Sequence, residues 1–198
     1  MKKNILLLSL LLTNHFIFSQ QKNVLDYFKI FQQSEEKKLI NESIKKINFE
    51  IAHQDFENQF IEVYAKDADG EAGDPYLKSY QIAIFEAKNK KKIIVIFGLN
   101  CWTGCISNID ELYFFDENMR NITKKILPKQ KIIQYFENHV EKGVDIKSAF
   151  LADINKDKAK ITLYLSAYYL ALQNEPPSSA VNFLVFDANK GRFKLANK

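Results

Sequence analysis

The chain has 198 residues, 46% hydrophobic and 26% charged, with 28 lysines and arginines against 24 acids and a formal charge of +4. So weak a basic excess argues against nucleic acid as the main partner. Its length, about 180 residues beyond a targeting segment, suits one domain with a real core, or two small units packed intimately.

The N-terminus, MKKNILLLSLLLTNHFIFSQQ, places Lys2 and Lys3 before an apolar run from Ile5 to Leu12 and reaches Ser19 and Gln20. That is the layout of a secretory signal peptide spanning residues 1–19, with cleavage between Ser19 and Gln20. The apolar run is shorter than the roughly 17–25 residues a spanning helix needs, and no cysteine closes it to carry a lipid. The expected location is therefore the periplasm or the exterior, with no membrane insertion after cleavage. Cleavage removes two lysines and no acid, leaving 26 basic against 24 acidic residues.

Asn23 reads as an N-cap with Asp26 three positions on, ahead of Val24, Phe28 and Phe31 at helical spacing. Ile40, Ile44 and Ile47 extend that stripe and predict one long or broken amphipathic helix over 23–48. Four strand candidates follow: QFIEVYAK, YLKSYQIAIFEA, KKIIVIFGL and IDELYFFD. The third is apolar on both faces, as a central strand covered on two sides would be. The lysine run KNKKK at 88–92 sits between two strands and reads as a solvated hairpin turn.

Pro128 opens a second helix, KQKIIQYFENHVEKG, with Ile132, Phe136 and Val140 on one face and Gly143 at the expected C-cap. Four more strands follow: KSAFLADI, AKITLYLSA, AVNFLVFDA and GRFKLA. The class is therefore α+β, two helices packed on antiparallel sheet, with one unit over 20–127 and a second over 128–198.

The only two cysteines and the only tryptophan lie in CWTGC, residues 101–105. In an oxidising compartment Cys101 and Cys105 are most simply a disulfide. A regular strand would hold them roughly 13 Å apart, so Gly104 must help bend the loop until their Cα atoms fall within the 4.4–6.8 Å or so that the bond requires. A redox-active pair would prefer Cys-x-x-Cys opening a helix, whereas this segment lies between strands. Metal binding is not expected, because His53 and His139 have no neighbour at ligand spacing.

The order helix-plus-four-strands, twice over, suggests a tandem repeat. LYFFDENMRNITK at 112–124 echoes FLVFDANKGRFKL at 183–195, and FEAKNKKKIIVIF echoes LADINKDKAKITLYL. Hairpins with lysine-rich turns could produce the same echoes without duplication. This architecture resembles the tandem helix-plus-four-strand arrangement of secreted β-lactamase-inhibitor-like proteins, across nearly the whole chain after residue 19. The resemblance rests on element order, with no diagnostic motif, and implies a protein that binds another protein on its sheet. Cystatin-like and other α+β sheets share the same elements, and fold does not fix function.

The repeat aligns the loop CWTGCISN with LQNEPPSS, which Pro176 and Pro177 stiffen. Rigid loops lose little entropy on binding, so Trp102, Tyr168 and Tyr169 are candidate binding anchors. The plainer alternative is that Trp102 plugs the core edge and the tyrosines pack on a neighbouring strand. Asp153, Asn155 and Asp157 stand at positions 1, 3 and 5 of a calcium-loop pattern. Lys158 and Tyr164 then occupy the glycine and glutamate positions, so the segment reads as an ordinary polar turn, as does DADGEAGD at 67–74. The sequons at Asn41 and Asn121 matter only in a glycosylating host. No nucleophile elbow, phosphate loop or zinc helix is present, and no cofactor is expected.

The sequence thus points to an exported binding or inhibitory module whose partner is another exported protein. The rivals are a hydrolase with dispersed carboxylates, whose pairing is spatial, and a thiol–disulfide redox protein.

Overall fold

A computed structural model describes residues 22–33, 47–67, 78–101, 105–140, 142–155, 159–174, 176 and 178–196. The first helix, α1 (Val24–Gln33), starts as the sequence requires. Asn23 Oδ1 accepts from Asp26 N, and Asp26 Oδ2 accepts from Asn23 N, each at 3.0 Å, a reciprocal cap that satisfies two otherwise orphaned donors. Its apolar face buries Val24, Tyr27, Phe28 and Phe31.

The expected continuation of this helix to residue 48 is overturned at Ile47, where strand β1 (Ile47–Asp55) begins. Ile47, Phe49 and Ile51 alternate at period two, and pairing with β2 (Phe60–Asp67) claims them for the sheet. Ile40 and Ile44 lie outside the described residues, as do Asn41 and most of DADGEAGD. The β1–β2 hairpin closes on Asp55, whose two carboxylate oxygens accept from Asn58 N at 3.0 Å and Asn58 Nδ2 at 2.7 Å.

Strands β3 (Lys78–Glu86) and β4 (Lys92–Cys101) follow, then the two-residue β5 (Cys105–Ile106), a 3-10 turn (Ile109–Glu111) and β6 (Leu112–Asp116). Every pairing is antiparallel: β1, β2, β3 and β4 lie in chain order, β6 takes the far edge of β4, and β5 pairs with the end of β4. The first unit therefore carries one long strand more than the four expected. Strand β4 is covered on both sides, as its composition predicts. Ile94 and Ile96 pack beneath α1 with Ile61, Val63 and Ile82, while Ile93, Val95 and Phe97 enter a larger core on the other face.

That larger core is shared with a second sheet, β7 (Phe150–Asn155), β8 (Lys160–Leu165), β9 (Val181–Asp187) and β10 (Arg192–Leu195), a four-stranded antiparallel meander. Short helices lead into it: α2 (Thr123–Ile126), α3 (Lys129–Glu137), α4 (Ile146–Ala149) and, between β8 and β9, α5 (Ala167–Leu172). The class is α+β. Helix α3 opens at Pro128 and buries Ile132 and Phe136 as expected, but it ends at Glu137 and not at Gly143. His139 N turns back to Phe136 O at 2.9 Å, and Gly143 serves a later turn at φ +115°. The turn delivers Ile146 and Ala149 to the core on α4. Asp145 caps this helix, taking residues 147–149 from the expected strand.

The two sheets meet through aromatic rings. Phe85 of β3 lies 5.4 Å from Phe186 and 4.9 Å from Phe193, and Phe114 of β6 lies 5.2 Å from Phe193. Edge-to-face and tilted pairs of this kind add about 0.5–1.5 kcal/mol each beyond the area they bury. Polar ties reinforce the joint, because Gln81 Oε1 accepts from Ile154 N at 3.1 Å and Ala188 O accepts from Lys88 N at 2.9 Å. Among the described residues no helix is long and apolar enough to cross a membrane.

Candidate functional site

Strands β4 and β5 flank CWTGC. Their register sets Cys101 directly opposite Cys105, and residues 102–104 lie outside the described residues. Opposed residues of an antiparallel pair hold their Cα atoms about 4.5–5.5 Å apart, yet the cysteines do not stand at disulfide distance, so the expected bridge is not shown. The side chains of Cys101 and Cys105, and Trp102 altogether, lie outside the described residues, and no disulfide is formed among the described residues.

Tyr168 and Tyr169 stand on α5, a helix the sequence reading missed by continuing β8 through Ala167. Strand β8 stops at Leu165, and Ser166 Oγ accepts from Tyr169 N at 3.2 Å, capping the helix. Leu170 fills the core while Tyr168 and Leu172 stay 39% and 58% exposed. The latter two are four residues apart, so they share one helical face. Tyr169 is half-buried against the core and is no surface anchor. Helix α5 packs beside β5, the strand that follows CWTGC. Leu172 gave no sign in the sequence beyond its spacing from Tyr168. Pro176 is exposed and Pro177 lies outside the described residues.

The outer face of the second sheet is open around Val185, whereas at its other end Leu151 is buried and Tyr164 packs against the core. Alternation sends Ala152, Ile154, Ile161, Leu163, Leu184 and Phe186 inward and leaves cross-strand rungs on the other side. One rung runs Leu151–Tyr164–Val181, the next Asp153–Thr162–Phe183, and the third Asn155–Lys160–Val185–Lys194. Burial, then the neighbouring charge of Asp153, raises the Tyr164 phenol above its ordinary value. Lys160 Nζ sits 4.3 Å from the Phe183 ring, and Val185 is 42% exposed beside them.

Asp153 and Asn155 are strand residues on β7, not ligands of a loop, and Asp157 lies outside the described residues. Among the described residues no group of three or more His, Cys, Asp or Glu could hold a metal ion. His53 is exposed on β1, and exposed His139 has Nδ1 2.7 Å from Tyr135 O.

Among the described residues three carboxyl groups are held below their ordinary value, and each belongs to a turn. Asn58 does this for Asp55, and Lys194 with two backbone amides does it for Asp187. For Asp116, desolvation pushes upward but is outweighed by the amides of Asn118 and Arg120 and the Arg120 guanidinium. In each case the carboxylate accepts the hydrogen bonds that brace its turn.

No family model matches the chain, and no curated protein does. A solved structure, a domain of an uncharacterized protein from Porphyromonas gingivalis W83, is similar over 83% of this chain and 88% of that one, at 8% identity and a TM-score of 0.44. A likeness so slight carries no argument about fold or function.

Proposed function

We propose that the chain is an exported, non-catalytic binding module that holds another exported protein at the end formed by α5 and the β4–β5 hairpin. The observation that carries this reading is the exposed pair Tyr168 and Leu172, one helical turn apart beside the strand that leads out of CWTGC. Aromatic anchors on a short capped helix lose little freedom on binding. Export rests on the order of Lys2, Lys3, the apolar run and Ser19.

A second reading places the partner on the outer face of the second sheet, where the resemblance to β-lactamase-inhibitor-like proteins would put it. Val185, exposed amid Phe183, Lys160 and Lys194, favours it.

The test is capture from the envelope and secreted fractions of the host on immobilised protein spanning residues 20–198. We expect one stoichiometric partner, lost with Leu172→Asp or Tyr168→Ala and kept with Val185→Asp. The reverse pattern moves the interface to the sheet. Capture of nothing by a folded sample removes the protein-binding function.

A further inference from the structure

A groove of about 960 Å³ lies where the 3-10 turn, α2 and the start of α3 converge, a volume at the upper end of the roughly 300–1,000 Å³ usual for ligand sites. Its floor is apolar, built from Ile109, Ile122, Leu127 and Pro128 with Tyr113 at one side. Its polar rim carries four lysines, 124, 125, 129 and 131, against one carboxylate, Asp110, a local charge of +3 in a chain whose total is only +4. Asp110 is already engaged by the Lys129 ammonium. Lys124, Lys125 and Lys131 have no ion-pair partner among the described residues.

The placement of these lysines runs against local preference. A helix N-terminus carries partial positive charge and favours acids in its first turn, yet the first turn of α3 holds Lys129 and Lys131, no acid and no side-chain cap. Lys124 and Lys125 stand just across Pro128 at the end of α2. Asp110 neutralises only Lys129 among them, and local rules are broken in this way at functional sites.

We propose that this groove binds a small organic anion with an apolar body, its charged group held by Lys124, Lys125 and Lys131 and its body laid on the half-buried Tyr113, Ile122 and Pro128. The site is distinct from the α5 end, so its occupancy does not depend on the proposed protein partner.

The probe is naphthalene-2-sulfonate, titrated into the folded protein and followed by amide NMR shifts. The controls are naphthalene-2-methanol, which has no charge, and inorganic phosphate, which has no apolar body. We expect saturable shifts centred on Thr123, Gln130 and Lys131, affinity for each control at least about ten-fold weaker, and a loss of about ten-fold, or 1.4 kcal/mol, in Lys124→Glu and Lys131→Glu. Both lysines are at the surface, so unchanged melting temperatures will show that the variants fold. Equal binding of the neutral analogue or of phosphate, indifference to both substitutions, or no saturation each overturns the proposal. Sedimentation with phosphatidylglycerol vesicles that Lys124→Glu abolishes would also overturn it, by making the occupant a membrane surface.

Discussion

Gly191 shows how much one missing side chain can decide. It takes φ +56° in the β9–β10 turn, a conformation L side chains rarely adopt. A Cβ there would stand 3.1 Å from Ala87 Cβ, at the base of the β3–β4 hairpin. Gly191→Ala should combine backbone strain with a clash across the joint between the sheets and cost about 1–3 kcal/mol in urea unfolding. A change below a few tenths would mean that the two hairpins are not tightly apposed.

Asp116 and Asp187 make the same point with charge. Each ends a strand and takes backbone amides on Oδ1, with a basic side chain on Oδ2: Arg120 at 2.8 Å in one case and Lys194 at 3.1 Å in the other. Because both are held below the ordinary carboxylate value of 3.8, the folded state binds fewer protons than the unfolded chain in that range. Their stabilisation is complete above that value and is lost as pH falls through the folded pKa. A melting-temperature profile from neutral to acid pH should therefore drop below the ordinary value, and Asp116→Asn with Asp187→Asn should flatten the drop. An unchanged profile in the double variant would rule out these turns as its source.

At the scale of elements, the β4–β5 hairpin makes the proposed disulfide testable. A three-residue link closes a very short loop, for which chain entropy predicts about 2 kcal/mol. Cys101→Ser with Cys105→Ser should lower the melting temperature, and alkylation of the wild-type protein should need prior reduction. Free thiols in native protein purified from its host would end the disulfide reading.

Helix α1 was legible because a reciprocal cap and a 3.6-residue stripe coincide in eleven residues, and β4 because an unbroken apolar run admits few other roles. Strand β1 was not, since Ile44 and Ile47 continue the helical spacing while Ile47, Phe49 and Ile51 fit a strand, and only pairing with β2 decides between them. Helix α5 hid behind the regular alternation of β8, which masks the stop at Leu165 until the Ser166 cap is seen. The groove was missed for a related reason. KKILPKQK at 124–131 holds four lysines in eight positions, but they sit on two short helices separated by Pro128, and neither helix alone shows a charged face. Chain reversal gathers them.

At the scale of the whole molecule, the sequence echoes have physical counterparts. FDENMR and FDANKGR fold as the twin turns of Asp116 and Asp187, and the second pair of echoes are the β3–β4 and β7–β8 hairpins. The units diverge at their edges, because β1 and β2 have no equivalents in the second sheet, and the chain after Asn121 makes one bridge to Phe115 before entering α2. The matching hairpins are what a duplication would leave, and lysine-rich turns between aromatic strands would also produce them.

The aromatic joint between the sheets also sets the order in which the protein can be finished. Phe85 and Phe114 are made early in synthesis, but Phe186 and Phe193, the rings they meet, belong to the last two strands described. A growing chain must therefore carry the inner face of its first sheet unsealed until Phe186 and Phe193 have left the ribosome.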